Sequence, residues 1–123
     1  MKKRIESIAK EKPDEEICGF VLYNKGKIDI KSIQNVAKDK KHLFSIKPRE
    51  VIKAKGLMGI FHSHVDCDSE FSEKDLTFSE EWGLPFFVFS LIDNKHGAYI
   101  PKTAQKSRKF LNFLKKIKEE YKV

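Results

Sequence analysis

The chain has 123 residues, which is enough for one domain with its own hydrophobic core and too few for two. Hydrophobic residues make up 40% of the chain, so a disordered protein is excluded, and no apolar run approaches the roughly 20 residues that cross a bilayer. The net charge is +7, with the acidic groups concentrated in residues 62–81 and the basic groups in residues 102–122. We therefore predict a single globular domain over residues 1–123, without a membrane partner.

The first part of the chain predicts a helix followed by a β-hairpin. Residues 2–11 carry apolar side chains on one helical face, and Pro13 follows them, as is typical just after a helix end. Residues 17–23 form an apolar run rich in aromatic and branched side chains, which indicates a buried strand. Residues 27–33 alternate strictly between apolar and polar, and the Asn-Lys-Gly turn at 24–26 joins the two strands.

The middle of the chain predicts alternating strands and helices. Residues 42–46 are expected to form a strand and residues 48–56 a short helix that ends at a glycine. Residues 57–64 are predicted as a buried strand. The helix over 73–82 has clear signals at both ends, with Ser72 as its N-cap and Gly-Leu-Pro after its last turn.

The last part predicts a second hairpin and a terminal helix. Residues 86–92 are the most apolar strand candidate and are expected to pair with 97–100. Residues 104–121 are predicted as an amphipathic helix whose apolar stripe packs on the core, with a partner-binding face as the alternative. Together these elements predict an α/β domain of the α+β type, in which helices cover a central mixed β-sheet.

The strand over 57–64 ends in two histidines that are one residue apart. On a strand, His62 and His64 point to the same face, which by strict alternation also holds Met58 and Ile60. Two imidazoles at this spacing can bind one metal ion. The alternative is that both are ordinary surface histidines or hydrogen-bonded core residues.

Asp75 strengthens the metal interpretation. On its helix it shares a face with Phe78 and Trp82, which we expect to pack inward, and a carboxylate on such a face needs a charged or hydrogen-bonding partner. The helix follows the histidine strand after a short loop, so Asp75 can lie near both rings, and two His with one Asp form an open zinc site. The alternative is that Ser72 and Asp75 only form a capping pair at the helix start.

Hydrolysis at such a site also needs a group that takes and returns a proton. Glu15 and Glu16 precede the first buried strand, and adjacent residues point to opposite faces, so only one of them can reach the metal. The pattern alone leaves open which one it is, and an exposed charge pair is the alternative for both.

The motifs together resemble a known family. His62-Ser63-His64, seven residues, Ser72, two residues and Asp75 match the H-x-H-x₇-S-x₂-D motif of the JAMM metallopeptidases, also called MPN+ or JAB. "Glu16-Ile17-Cys18-Gly19" resembles the E-x-C-G segment of the same family, and the stretch "QNVAKDKKHLFSI" is similar to its Asn-containing segment. The zincin motif HExxH and the deaminase motif with P-C-x-x-C do not occur in the chain.

The resemblance implies a JAB/MPN fold, similar to that of cytidine deaminases, and one Zn²⁺ per chain. It implies that His62, His64 and Asp75 bind this zinc, that Glu16 is the general acid/base and that Ser72 stabilises the oxyanion. Val65 stands where the family usually has proline, a difference that concerns the shape of the loop. Nearby Cys67 is interpreted as a free thiol, with an inhibitory fourth metal ligand as the alternative.

The implied function is hydrolysis of a peptide or isopeptide amide by a zinc metallopeptidase. The segment from Ser72 to Leu91 resembles the version of this domain in phage tail-assembly proteins, so the expected substrates are a ubiquitin-like protein, a tail-assembly protein or a cell-wall peptide. The alternative is a phage-tail-type assembly protein with a retained but little-used zinc site.

Two further expectations concern location and charge. No apolar segment follows the basic start, and two cysteines are too few for a disulfide framework, so we expect a cytoplasmic protein, or a virion-associated one if phage-encoded. The lysine-rich end is interpreted as an ordinary hydrated surface. Nucleic-acid binding is disfavoured because the acidic residues around the expected site would repel phosphates.

Overall fold

The computed structural model describes residues 1–122; Val123, the last residue of the predicted domain, lies outside this range. Five strands form one mixed sheet, and four helices lie on its two faces, as the predicted α+β class requires. The elements, in chain order, are α1 (Lys2–Glu11), β1 (Cys18–Asn24), β2 (Lys27–Ile33), α2 (Pro48–Lys53), β3 (Leu57–His64), α3 (Glu73–Trp82), β4 (Phe86–Ser90), β5 (His96–Tyr99) and α4 (Arg108–Tyr121).

The strand order in the sheet is β2-β1-β3-β4-β5. Both predicted hairpins are present: β1 pairs with β2, and β4 with β5, in antiparallel fashion. β3 is antiparallel to β1 but parallel to β4, and α3 makes the crossover between the two parallel strands. α3 follows the end of β3 after a short loop and leads back to the start of the parallel strand β4. The first turn of α3 therefore lies beside the two histidines at the end of β3.

The two faces of the sheet carry separate apolar cores. One face is covered by α1 and α4, whose apolar stripes pack on the sheet as predicted for α4; we call it the closed face. Its buried side chains include Ile5, Phe61, Phe87, Phe113 and Ile117. The other face is covered by α2, α3 and the chain around residues 44–46, and we call it the open face. Phe20, Ile60, Leu84 and Phe86 form the buried apolar cluster of this face.

The predicted strand over residues 42–46 is wrong. This segment is irregular, because the Asn35 side chain rather than a neighbouring strand holds its backbone. The Asn35 Nδ2 donates to the Leu43 carbonyl, and its Oδ1 accepts from the Ser45 N–H, at 2.9 and 3.0 Å. The backbone of this segment also accepts from the Val36 N–H at the Ser45 carbonyl, and its first two N–H groups donate to the Asp39 carbonyl in a turn.

Two helices are shorter than predicted. α2 ends at Lys53, because the backbone of Ala54 is already extended, and Gly56 lies beyond it with φ +74°. α4 begins at Arg108 rather than at 104, because the Ser107 hydroxyl caps the helix by accepting from the Phe110 N–H.

Met58 lies on the opposite face from the one that strict alternation predicts. A β-bulge shifts the register between β1 and β3, so that Gly59 pairs with Val21 but Leu57 pairs with Leu22. Met58 therefore packs in the core of the closed face, whereas Ile60 packs in that of the open face. Alternation holds on the C-terminal side of the bulge, where His62 and His64 share the open face with Ile60.

No helix in the described part of the chain combines the length and apolar character that crossing a bilayer requires.

Candidate metal centre

β3 brings the two histidine rings together at its C-terminal end. The Nε2 atoms of His62 and His64 are 3.2 Å apart, and the two residues are 0% and 5% exposed. The His62 ring is held by packing, since Phe44 stacks on it with ring centroids 4.6 Å apart and Phe86 meets its edge. The imidazoles are thus buried side chains with little freedom to turn away.

Asp75 on α3 completes the cluster. One of its carboxylate oxygens, Oδ2, lies 3.2 Å from the His62 Nε2 and 3.6 Å from the His64 Nε2. The same oxygen accepts from the Ser72 N–H, and the Ser72 hydroxyl accepts from the Asp75 N–H, both at 3.1 Å. The capping pair and the convergence with the histidines therefore coexist, and the cap fixes the position of the carboxylate.

The predicted inward face of α3 is only partly correct. Asp75 and Ser79 are buried and Phe78 is half-buried. Trp82 is 45% exposed, because it borders a small cavity instead of closely packed side chains.

The three donor atoms fit a tetrahedral zinc ion. Ligand bonds of about 2.0–2.1 Å at tetrahedral angles place neighbouring donors about 3.3 Å apart, which matches the separations of 3.2, 3.2 and 3.6 Å. The His64 Nδ1 lies 2.6 Å from the Asp68 carbonyl and donates to it, which leaves the Nε2 lone pair of neutral His64 available for a metal. Within residues 1–122, these three side chains are the cluster with the donors to hold a metal ion.

The pKa values in the cluster determine how a proton and a metal ion compete for its donor atoms. Burial lowers the pKa of His62, so this ring is neutral. Burial acts in the same direction on His64, but its hydrogen bonds to Asp75 and to the Asp68 carbonyl raise the His64 pKa overall. Burial opposes ionisation of Asp75, yet the bonds from the two rings hold its pKa well below the usual range. A metal ion at the Nε2 of His64 competes with the proton that this raised pKa favours.

Glu16 lies beside this cluster, and Glu15 does not. The register that pairs Cys18 with His62 places Glu16 opposite His64 when it is continued by two residues. Glu16 is 5% exposed and lines the same cavity as His64 and Asp75. Burial raises the pKa of Glu16 to about 7, while the charge of His64 lowers it and that of Asp75 raises it. Glu15 lines a different cavity.

The remaining side chains named from the sequence also lie near the cluster. Ser72 lines the cavity, and its oxygen accepts from the Asp75 N–H. A hydroxyl that accepts one hydrogen bond can still donate its own hydrogen in another. Cys67 is an exposed free thiol at the rim of the cavity, outside the group of three donors. Cys18 is a buried residue of β1, and burial raises the pKa of its thiol to about 12.

Sequence reasoning assigned no role to Asn35 and Ser63, which position Glu16. The Asn35 Nδ2 donates to the Glu16 carbonyl at 2.9 Å, in addition to its bond to residue 43. The Ser63 hydroxyl accepts from the Ile17 N–H at 2.9 Å, and the Ser63 N–H donates to the Ile17 carbonyl. The only available signals were the Asn-containing stretch and the small polar residue between the two histidines.

Comparisons with known proteins agree with this architecture. The family described as "Prokaryotic homologs of the JAB domain" matches residues 1–108. A JAB1/MPN domain protein from Archaeoglobus fulgidus is similar in structure, with a TM-score of 0.57, 18% identity and coverage of 86% of this chain and 87% of that one. A protein from Desulfitobacterium hafniense has a TM-score of 0.56, 20% identity and coverage of 80% and 75%. At these identities the likeness shows a shared fold. No curated protein matches the chain.

Proposed function

The chain belongs to the family of prokaryotic homologues of the JAB domain, and from this membership we propose that it is a zinc-dependent metallopeptidase. The reaction is hydrolysis of a peptide or isopeptide amide in a protein or peptide substrate. One observation carries the proposal: three buried donor atoms converge at zinc-like separations, and two of their residues, His64 and Asp75, line the same cavity as the buried Glu16. A purely structural histidine cluster would not require a buried carboxyl group of raised pKa beside it.

His62, His64 and Asp75 would hold the metal ion. Zinc in a site with three protein ligands supplies a Lewis acid and makes a water molecule ionisable near neutral pH. The cap at Ser72 and the bond from His64 to the Asp68 carbonyl fix two of the donors before any metal binds.

Glu16 is proposed as the group that moves the proton. Its pKa of about 7 lets the carboxylate take a proton from water and the carboxylic acid return it to the leaving nitrogen at neutral pH. The bonds of its backbone to Asn35 and Lys40 fix where the side chain begins.

Ser72 is proposed to stabilise the oxyanion. Its hydroxyl lies at the N-cap of α3 and lines the cavity, so donation to a developing negative charge requires little rearrangement.

The test combines metal analysis with cleavage assays on the purified full chain. We expect one zinc per chain and chelator-sensitive cleavage within a panel of fluorogenic peptides and ubiquitin-like fusion proteins. Glu16→Gln should retain zinc but lower kcat by about 10²–10⁴-fold, the usual contribution of general acid–base catalysis. Glu15→Gln is the matched control and should keep wild-type turnover.

The outcomes separate the two functions considered. A protein that binds zinc but cleaves no member of the panel would support an assembly role with a little-used metal site. If Glu16→Gln cleaved as fast as the wild type, Glu16 would be removed from the mechanism.

A further inference from the structure

A second, smaller cavity lies beside the metal cluster on the open face; we call it the side cavity. Its volume is about 90 Å³, compared with about 310 Å³ for the cavity that contains His64 and Asp75. Phe44 and Phe78 line both cavities, so the two are neighbours separated only by these rings. The side cavity therefore adjoins the candidate active site.

The side cavity is close to a metal donor. Phe44 and Phe86, which both line it, contact the His62 ring, with ring centroids 4.6 and 6.1 Å away. A group in the side cavity is thus separated from the His62 ring by a single phenylalanine ring. When an extended peptide has its scissile amide at the metal cluster, a side chain of a nearby residue can reach the side cavity.

The walls of the side cavity are almost entirely apolar. Besides the three phenylalanines, they include Ile46, Val51 and Trp82, and Ser45 is the only polar residue. Phe44, Phe78, Ile46 and Val51 are only half-buried, and Trp82 is 45% exposed, although apolar packing normally buries such residues further. A ligand side chain would remove this exposed apolar surface from water.

Resting on the proposed function, we infer that the side cavity binds one bulky apolar side chain of the peptide substrate, close to the scissile amide. The volume accommodates a single side chain of the size of leucine and excludes a folded element. The substrate class is therefore a peptide segment with a bulky apolar residue near the cleaved bond, rather than a segment of glycines alone. Pockets for individual side chains are a common source of specificity for extended peptides.

The first experiment measures binding rather than cleavage. Trp82 is the only tryptophan in the chain, so its fluorescence reports directly on the side cavity. Zinc-loaded Glu16→Gln protein is titrated with acetylated heptapeptides of glycine flanked by lysines, and with the same peptides carrying one leucine at each inner position in turn. At one position at least, leucine should tighten binding about tenfold and shift the Trp82 emission to the blue.

Two neighbouring residues of α2 provide matched variants. Val51 lines the side cavity, whereas Ile52 is 82% exposed and does not. Val51→Phe should fill the cavity and abolish the tenfold advantage of leucine, and Ile52→Phe should preserve it. Ile46→Phe fills the cavity from another wall and replaces Val51→Phe if the latter does not fold.

The outcomes distinguish this inference from the proposed function. Leucine-dependent binding without any cleavage by the wild type would retain the side-chain site and reject the peptidase. Cleavage without any preference for leucine, and with no response of Trp82, would reject the side-chain site and retain the peptidase. Equal binding of all the peptides overturns the inference in either case.

Discussion

The closed and open faces of the sheet are built by different means. On the closed face, α1 and α4 bury a continuous apolar core that includes Phe61, Phe87 and Phe113. On the open face, the buried residues include the polar His62, His64 and Asp75 beside the apolar ones, and the chain between β2 and α2 is held largely by the Asn35 side chain. We infer that packing on the closed face supplies most of the stability, while the open face keeps polar groups and partly exposed apolar side chains available for chemistry.

The largest expected effect tests the closed face. Phe113→Ala removes a fully buried ring that contacts Tyr23, Phe87 and Phe110, and should lower the free energy of unfolding by about 3–5 kcal/mol. Urea unfolding at low temperature measures this change. Leu111→Ala, on the exposed side of the same helix, should change it by less than about 1 kcal/mol. Equal losses would mean that α4 does not seal this face.

The next effect tests the polar support of the open face. Asn35→Ala leaves the Glu16 and Leu43 carbonyls and the Ser45 N–H without their partner, and should cost about 2–3 kcal/mol in the free energy of unfolding. Because Glu16 then loses one of its two backbone anchors, kcat for a cleaved peptide should fall more than KM changes. The neighbouring exposed variant Gln34→Ala should leave both quantities unchanged. An Asn35→Ala protein as stable as the wild type would contradict the comparison of the two faces.

The third effect is the pH dependence of zinc binding on the open face. Because its pKa is raised, the His64 ring in the metal-free protein keeps its proton to a higher pH than a free imidazole does, and zinc requires the neutral ring. Zinc affinity should therefore fall as the pH decreases below this raised pKa, by up to about tenfold per pH unit, which corresponds to about 1.4 kcal/mol. Competition with a chelator whose own protonation is corrected measures the affinity between pH 8 and 6. An affinity that does not change over this range would mean that His64 is neutral before zinc binds.

The smallest effect concerns the outer surface of the open face. Ile52→Ser replaces a side chain that is 82% exposed and should change the free energy of unfolding by no more than about 0.5 kcal/mol. Thermal unfolding in the presence of zinc is sufficient to measure it. A loss of 2 kcal/mol would show that another part of the protein, or a second copy, covers α2 in solution.

The spacing of apolar and capping residues along the chain predicted most of the elements, and it predicted that the three donors lie close together. His62 and His64 share a face because alternation holds at that end of β3, and Asp75 is placed by a helix with clear signals at both ends. Strand alternation and helix capping depend on residues that are close in sequence, so a single sequence is enough to predict them.

The errors arose where distant contacts override local preference. Residues 42–46 have strand-forming side chains, but the amide of Asn35 takes over their backbone groups. Met58 changes face because a bulge against β1 shifts the register, which the sequence of β3 does not indicate. The role of Asn35 itself was not foreseen, because its four hydrogen bonds join segments that are 2 to 19 residues away.

The double use of the Asp75 carboxylate connects the proposed metal site to the backbone of α3. The oxygen that faces two imidazoles also accepts from the Ser72 N–H, so we expect a bound cation, which would hold this carboxylate in place, to protect the first turn of α3 further. Amide hydrogen exchange at positions 72 and 75 should accordingly slow when zinc is added, whereas the amides of α4 should be unaffected. The exchange rates of these amides at the start of α3 are thus expected to report the fraction of the protein that has bound metal.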